Sequence, residues 1–490
     1  MPAVGADPTL PDHAARPANG STVTDALSHN REHLRSLLRR YDRPGPRYTS
    51  YPTAPHFRAD FGPVDLEAHI AQGDEQQRPL SLYVHVPFCA SPCFYCGCNR
   101  IITRDPVHGV RYAGRLQQEI RVLAPRFDRR REVVQLHLGG GTPNFLDLAT
   151  IDRLLERLAA GFSLSADRTR DFSIELDPRA VTGHAREYAD GLAALGFNRA
   201  SIGVQDFDIE VQHAVNRLQS TAATLGLLDA CRASGFRSVN FDLIYGLPRQ
   251  TLHGFGRTLR AVVAARPDRI AVYGYAHLPQ LFKAQRQIVT AELPDAELRL
   301  SLLMLAIEEL MAAGYRYVGM DHFALPDDEL VRAQDARRLH RNFMGYTTHA
   351  GCDLVGLGVS AISNIGDSYS QNHRAIKDWE RAIDAGTPPL WRGLSLSVDD
   401  RIRADVIGRL MCDGLVEFAP VEATHGICFG EYFASPLAAL SDLSADGLVT
   451  VDDARVAATP LGRLFLRNLA MCFDVYLTGE GASASMARAV

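Results

Sequence analysis

Six short apolar strands alternate with helices between residues 81 and 279, and this alternation limits the fold more than any other feature. The predicted strands are SLYVHVPF, VVQLHLGGG, FSIELDP, RASIGVQD, SVNFDLIYGLP and RIAVYGYAHLP. Most are separated by segments with helical spacing, as in RYAGRLQQEIRVLA, where Leu116, Ile120 and Leu123 fall on one face. Such alternation forms parallel βα units, which build either an open doubly wound sheet or part of a barrel.

Residues with useful chemistry follow these strands directly. In both parallel folds, ligands bind at the C-terminal ends of the strands. We therefore expect the groups found at those ends to lie on one edge of the sheet: the cysteine loop 89–98, the GGGTP segment 139–143, Glu175, Gln205, Asp242 and Ala276.

The first of these groups is CASPCFYCGC (89–98), a CxxxCxxCxC loop that directly follows a strand. Nine cysteines spread through a large chain do not form a secreted disulfide framework, so a reducing cytoplasm and a metal-binding loop are expected. Zinc is one alternative, but no second cysteine or His/Cys pair with zinc-site spacing follows downstream. A cluster closed by four thiolates is another, with Cys98 as the fourth ligand, although Cys96 and Cys98 are only two residues apart.

We predict that Cys89, Cys93 and Cys96 bind an iron–sulfur cluster with one iron left open. An open iron can chelate the amino and carboxylate groups of S-adenosylmethionine (SAM). A low-potential electron then breaks a carbon–sulfur bond of SAM, which generates a radical able to attack an unactivated carbon.

Two other strand ends admit a functional and a purely structural interpretation. The glycines of GGGTP would let the backbone approach SAM, or they could simply form a tight strand-to-helix turn. Glu175 could pair with an ammonium or with ribose hydroxyls, or it could cap the next segment.

Taken together, the motifs resemble the oxygen-independent coproporphyrinogen III oxidases. The resemblance covers about residue 43 to the C-terminal helix and rests on an ordered set of segments: PRYTSYPTA, CxxxCxxCxC, GGGTP, IELDP, GVQDF, VNR, DLIYGLP, YAHLP, GMDHFA, HRNFMGYTT and GVSAIS. It implies a (βα)6 partial barrel, one 4Fe–4S cluster and two SAM molecules. It also implies that two propionates of coproporphyrinogen III become vinyl groups, giving protoporphyrinogen IX and two carbon dioxide.

The resemblance also implies a set of ligand contacts. Cys98 would not be a cluster ligand. Tyr95 occupies a position where the family often carries Phe. The first SAM would meet Tyr83, Gly140, Glu175 and Ile362, and the second would meet Tyr95, Gly141, Thr142, Gln205, Arg217, Asp242 and Ala276. Because the substrate is a tetra-acid, Arg47 and Arg341 are candidate carboxylate ligands, with ordinary surface arginines as the alternative.

Two rival functions remain. A related haem chaperone shares the barrel and CxxxCxxC but lacks the fourth cysteine and the PRYTSYPTA arm, and this chain has both. Another radical SAM decarboxylation or methyl transfer is disfavoured by YAHLP together with GMDHFA. The enzyme is therefore the preferred interpretation.

The remaining segments predict the domain organisation. We expect a largely disordered lead-in (1–42), an arm that docks (43–80), the catalytic barrel (81–375) and a mainly helical, winged-helix-like domain (376–490). The lead-in lacks the pattern of a signal peptide, which favours a cytoplasmic enzyme. The formal net charge of -5 offers no general attraction to nucleic acid or to a membrane. A low-potential electron donor is required, and nothing in the sequence demands an assembly.

Overall fold

The computed structural model describes residues 31–478, and a large sheet runs through that part of the chain. In chain order its strands and those of three small sheets are β1 (Leu80–Val86), β2 (Phe88–Cys89), β3 (Ile101–Ile102), β4 (Glu132–Gly140), β5 (Ser163–Leu164), β6 (Asp171–Leu176), β7 (Arg199–Gln205), β8 (Ser238–Tyr245), β9 (Arg269–Gly274), β10 (Arg316–Gly319), β11 (His322–Ala324), β12 (His340–Asn342), β13 (Gly345–Thr347), β14 (Asp353–Leu357), β15 (Ile362–Ile365), β16 (Ser368–Asn372), β17 (Leu390–Ser395), β18 (Leu415–Glu417), β19 (Val449–Val451) and β20 (Arg455–Ala458).

The six predicted βα units form the centre of the large sheet. Strands β9, β8, β7, β6, β4 and β1 lie side by side in that order, and each neighbouring pair is parallel. Leu116, Ile120 and Leu123 are buried, as their spacing predicts. The helices that follow these strands are Val107–Leu123, Leu148–Gly161, Ala185–Ala194, Thr221–Ala233, Leu252–Ala265 and Ala296–Ala312.

Both edges of the sheet extend further than the sequence pattern indicates. Strand β14 pairs in parallel with β1, and β15, β16 and β17 follow in antiparallel pairs. At the other edge, β11 and β10 are also antiparallel. The sheet therefore continues to Ser395, beyond the boundary expected at residue 375. Strand β16 escapes the sequence pattern because it is buried at every position yet carries mostly polar side chains.

The helix Arg31–Tyr41 lies inside the lead-in that was expected to be largely disordered. Leu34, Leu37 and Leu38 are each no more than 3% exposed. The ring of Tyr41 packs on Phe465 at a centroid distance of 5.8 Å. The helix is ordered because its apolar face has a partner near the C-terminus, which local sequence does not reveal. Residues 1–30 lie outside the described part of the chain.

The Pro- and aromatic-rich segment 43–57 docks on the protein, as its composition suggests. Tyr48 and Tyr51 are buried, and the Tyr48 hydroxyl donates to Asp474 at 2.9 Å. The Arg467 guanidinium donates to the carbonyl oxygens of Pro46, at 3.0 Å, and of Gly45. The arm is thereby fixed to the last described helix. A further helix, Pro63–Glu75, leads from it into β1.

The C-terminal region combines short helices with a small antiparallel sheet in the order β18-β20-β19, and it contains the hairpin β19–β20. Its helices are Val398–Asp413, Phe418–His425, Phe429–Tyr432, Ala434–Ala439, Ser441–Ala445 and Leu466–Met471. The remaining helices of four or more residues include Ile209–Ala214, Glu329–Asp335 and Ile376–Asp384. Across residues 31–478, no helix combines the length and apolar character needed to cross a bilayer.

Candidate active site

A cavity of about 170 Å³ opens at the C-terminal ends of the parallel strands, beside the cysteine loop. It brings together most of the predicted ligand residues, which come from five different strand ends. The predicted residues that line it are Cys89, Cys93, Tyr95, Cys96, Cys98, Gly140, Gly141, Thr142, Glu175, Gln205, Arg217 and Asp242. The expectation of a shared edge is therefore confirmed for these positions.

Arg100 holds the cysteine loop in shape. Its guanidinium donates to the carbonyl oxygen of Cys96 at 2.8 Å and to that of Cys93 at 3.1 Å. The amide of Phe94 donates to the Val215 carbonyl oxygen at 2.9 Å, which attaches the loop to the segment after β7. Sequence reasoning missed Arg100, although a basic residue two positions after the last cysteine is a visible signal.

Hydrogen-bond donors approach all three sulfur atoms predicted to bind iron. The Thr142 hydroxyl lies 3.3 Å from the Cys89 sulfur, and the Cys98 amide donates to the Cys96 sulfur at 3.4 Å. Arg179 and Arg217 each place a guanidinium nitrogen 3.6 Å from the sulfur of Cys93. Such donors stabilise negative charge on metal-bound thiolates.

Asp177 positions both of these arginines. Its carboxylate accepts from Arg179 at 2.6 Å and from Arg217 at 3.2 Å. Burial raises the pKa of Asp177, but the two guanidinium groups outweigh burial and hold the pKa at about 2. Asp177 and Arg179 were not singled out from the sequence, although both stand within or beside the IELDP motif.

The environments of the thiols differ in a way that suits metal binding. Burial raises the pKa of Cys89 to about 11, so a free Cys89 keeps its proton until a metal displaces it. The Cys98 thiol donates to Cys96 and lowers the pKa of Cys96 to about 6. Of Cys96 and Cys98, Cys96 is therefore the residue that is mainly deprotonated at neutral pH.

The donor set fits an iron–sulfur cluster better than a single zinc ion. Within residues 31–478, no three His, Cys, Asp or Glu side chains come close enough together to hold one metal ion. The thiols instead surround a cavity, which suits a group with several metal atoms. Thiolates assisted by N–H and O–H donors are the usual ligands of such clusters.

Close packing explains why glycines occupy the GGGTP segment. Gly140 has a φ of +118°, and a Cβ atom there would come within 2.6 Å of the His85 ring. A Cβ atom on Gly141 would lie 2.8 Å from the backbone of Pro87. The Gly141 amide donates to the Val86 carbonyl oxygen at 2.8 Å. Missing side chains thus allow the end of β4 to lie against the start of the cysteine loop.

Glu175 faces the cavity from the end of β6. It accepts from the Gly140 amide at 3.1 Å and lies 3.4 Å from His137 Nε2. Burial raises the pKa of Glu175, but His137 and the amide outweigh burial and leave the pKa below its usual value. The side chain is therefore a carboxylate that can receive a cationic ammonium or hydroxyl groups.

Gln205 and Asp242 continue the cavity wall along β7 and β8. Gln205 has a φ of +65° at an irregularity in the β7–β8 pairing, which turns its side chain away from the regular strand pattern. Burial raises the pKa of Asp242 to about 6, even though Ser201 and Asn240 donate to it at 2.7 and 2.9 Å. These are polar groups suited to ribose or amino groups.

Tyr83 and Ile362 are not part of the cavity lining. Tyr83 lies next to it on β1, stacked on His137 at 5.9 Å, with its hydroxyl 3.1 Å from His85 Nδ1. Ile362 lies on β15, two strands beyond β1, and its backbone is close to Gly356 of β14, the residue that pairs with Tyr83.

Ala276 belongs to a second cavity, of about 280 Å³, at the end of β9. Gln285 joins the two cavities, since its amide donates to the carbonyl oxygens of Tyr95 at 2.9 Å and Ala276 at 3.1 Å. Gln285 is only 2% exposed. No periodic pattern or motif marks this residue in the sequence.

The two candidate carboxylate ligands occupy different places. Arg47 lines the second cavity, bonded to Asp321 at 2.7 Å and placed over the Tyr273 ring. Arg341 is not among the residues that line this cavity. It stacks on Tyr346 at 4.7 Å, and its Nε and Nη1 atoms are buried without a hydrogen-bond partner in the described structure.

Comparison with known proteins agrees with this geometry. The family model described as Radical SAM superfamily matches residues 83–262, and the HemN C-terminal domain matches residues 396–465. The oxygen-independent coproporphyrinogen III oxidases of Pseudomonas aeruginosa and Escherichia coli are 48% and 47% identical to this chain. These alignments cover 90% and 93% of this chain and 95% and 98% of the relatives.

A solved structure of the E. coli protein, described as coproporphyrinogen III oxidase (HemN) and a radical SAM enzyme, has a TM-score of 0.84 at 48% identity. It covers 88% of this chain and 97% of its own. The predicted partial barrel with a mainly helical C-terminal region is confirmed. So are the 4Fe–4S cluster and SAM as cofactors, because radical SAM enzymes use both. The chain therefore belongs to the oxygen-independent coproporphyrinogen III oxidase family of radical SAM enzymes.

Proposed function

We propose that this oxidoreductase converts two propionate side chains of coproporphyrinogen III to vinyl groups, giving protoporphyrinogen IX in haem biosynthesis. The observation that carries the proposal is that relatives named for this activity align over 90% or more of the chain, including its whole cysteine loop. The thiol-lined cavity provides the chemistry that such a reaction needs.

The reaction requires a strong one-electron step. The β-carbon of a propionate is unactivated, so acid–base catalysis alone cannot remove its hydrogen. When bound, the cluster and SAM supply the one-electron chemistry that abstracts this hydrogen atom. The substrate then loses carbon dioxide and passes one electron to an acceptor, which leaves the vinyl group.

The residues of the cavity divide into three tasks. Cys89, Cys93 and Cys96 would hold the cluster, and Cys98 would support Cys96 without being a ligand. Glu175 would hold the first SAM together with Tyr83 of β1, Gly140 of β4 and Ile362 of β15. The second SAM would be held by Tyr95, Gly141, Thr142, Gln205, Arg217, Asp242 and Ala276. Burial of Arg217, together with the fixed hydrogen bonds of Arg217 and Asp242, supports a site that is already organised before the ligands bind.

The cellular setting proposed from the sequence is a cytoplasmic monomer that receives electrons from a low-potential donor. A donor is needed because the cluster must be reduced in each catalytic event. The formal net charge of -5 argues against nucleic acid or an anionic membrane as a partner.

Arg179 is expected to tune the cluster through Cys93. Replacing Arg179 by Gln removes a positive charge 3.6 Å from the Cys93 sulfur. Loss of this charge favours the oxidised cluster over the reduced one, because the reduced cluster carries one more negative charge. The midpoint potential of the cluster should become more negative by about 59 mV, which corresponds to a tenfold change in the equilibrium constant of a one-electron reduction. Potentiometric titration followed by electron paramagnetic resonance measures this shift. The exposed Arg104, which has no hydrogen bond to a thiol, provides the control variant Arg104→Gln, and equal potentials in the two variants would refute the assignment.

Anaerobic turnover tests the proposed function. Reconstituted enzyme with coproporphyrinogen III, SAM and a reductant should yield protoporphyrinogen IX and 5′-deoxyadenosine, detected by chromatography. Absence of any vinyl product while the cluster is intact would reject the proposal. Tight stoichiometric haem binding in the same preparation would support the rival chaperone function instead.

A further inference from the structure

The second cavity, of about 280 Å³, lies between the N-terminal helix, the end of β9 and the C-terminal domain. Its walls come from parts of the chain that are far apart in sequence, which include Leu34, Ala276 and Arg467. The cavity is near the lower end of the usual range for small-ligand pockets. It can therefore take part of a tetrapyrrole, with the remainder directed toward the neighbouring thiol-lined cavity.

The cavity is strongly cationic. Among residues 31–478, four arginines line it, Arg47, Arg299, Arg463 and Arg467, whereas Asp321 is the one carboxylate in its lining. Asp321 is already paired with Arg47. Arg299 and Arg463, which form no ion pair in the described part of the chain, therefore leave an excess of positive charge that a bound anion can balance.

Arg299 and Arg463 carry most of this excess. Arg463 donates to the carbonyl oxygens of Asp413 and Val318, at 3.0 Å each, and has no ion pair within the described residues. The Nε atom of Arg299 is buried without a hydrogen-bond partner in the described part of the chain. Burial lowers the pKa of Arg463, and the neighbouring Tyr346, Tyr317 and Asp413 offset this effect only in part.

The lining of the cavity also contains apolar side chains. They include Leu34 and Leu38 of the N-terminal helix, and Leu303, Met304 and Ile307 of the helix Ala296–Ala312, which also carries Arg299. Apolar side chains together with several guanidinium groups suit a flat, hydrophobic ligand that carries more than one carboxylate.

We propose that Arg299 and Arg463, supported by Arg47, bind the propionates of the tetrapyrrole that the reaction leaves intact. This inference rests on the proposed function. An ion pair stabilises a carboxylate as an anion, so it would oppose the departure of that group as carbon dioxide. Strong pairing therefore suits the retained carboxylates, and the reacting propionate is expected to extend past Ala276 toward the cluster.

Equilibrium binding to the holoenzyme tests this inference. Coproporphyrinogen III and protoporphyrinogen IX are titrated anaerobically with SAM present and reductant absent, so that no turnover occurs. Because the product keeps only the intact propionates, Arg299→Gln and Arg463→Gln should weaken the binding of both molecules by roughly tenfold, the effect of losing one charged hydrogen bond. Arg299→Lys, which keeps the charge, should recover part of the affinity.

Arg381→Gln is the matched control, since the Arg381 side chain is 76% exposed on another helix. Unchanged affinity for both molecules in Arg299→Gln and Arg463→Gln would overturn the inference. So would weaker binding of coproporphyrinogen III alone, because the arginines would then hold the reacting propionates. A wild-type enzyme that binds both molecules but forms no vinyl product would contradict only the proposed function, and failure to bind either would contradict both.

Discussion

Replacing Cys93 by Ser is expected to abolish the cluster and all vinyl formation, whereas Cys98→Ser should retain the iron. Cys93 is buried, and the guanidinium groups of Arg179 and Arg217 point at its sulfur. A serine hydroxyl at this position would leave both guanidinium groups without the negatively charged thiolate that they face. The backbone amide of residue 98 donates to the Cys96 sulfur, and serine keeps this amide while its hydroxyl can donate in place of the Cys98 thiol.

Iron and acid-labile sulfide content of the two anaerobically reconstituted variants measures this difference. Near-wild-type iron in Cys98→Ser and almost none in Cys93→Ser is the expected pair of results. Iron content near zero in Cys98→Ser would mean that all four cysteines are needed to bind the cluster. That result would contradict a cluster with one open iron. The two variants serve as controls for each other because they lie in the same loop.

The Arg131→Met variant is expected to lose about 3–5 kcal/mol of stability, the usual effect of breaking a buried ion pair by removing one partner. Arg131 is 1% exposed and donates to Asp74 at 2.9 Å, to Asp353 and to the Arg78 carbonyl oxygen at 2.7 Å. Asp353 is 2% exposed and begins β14, beside the first residue of β1. The substitution removes a positive charge that neutralises the buried Asp353 carboxylate at the point where β1 and β14 meet.

Denaturant unfolding monitored by circular dichroism measures the loss. Arg130→Met is the matched control, because the neighbouring Arg130 side chain is 77% exposed and pairs with Asp128 at the surface. Stabilities of the two variants that agree within about 0.5 kcal/mol, the range of ordinary surface substitutions, would show that the buried pair does not hold these strands together.

The sequence predicts the centre of this protein better than its edges. The six parallel strands and their ligand-bearing ends follow from local periodicity, because the first apolar strand ends at the cysteine loop and the other five end at Gly, Asp, Gln or Pro. Strand β16 could not be recognised because burial by neighbouring strands, rather than apolar side chains, defines it. The helix Arg31–Tyr41 shows its apolar face in the sequence, but its partner Phe465 is known only from the fold.

The candidate site shows the same division. The cysteines, GGGTP and Glu175 stand in motifs whose chemistry can be recognised from residue type and spacing. Gln285 and Arg299 act through contacts with residues far away in the chain, so nothing in their local sequence marks them. Arg341, the other candidate carboxylate ligand, stacks on Tyr346, which is also its partner in the β12–β13 pairing, and it does not line that cavity.

The release of carbon dioxide during anaerobic turnover tests the central claim most directly. Enzyme supplied with SAM, a reductant and coproporphyrinogen III labelled with ¹³C in its propionate carboxyl groups should release two labelled carbon dioxide molecules for each protoporphyrinogen IX formed. Cys93→Ser should release none, and Cys98→Ser should still release labelled carbon dioxide. A tetrapyrrole that is consumed or methylated without release of labelled carbon dioxide would contradict oxidative decarboxylation as the function of this protein.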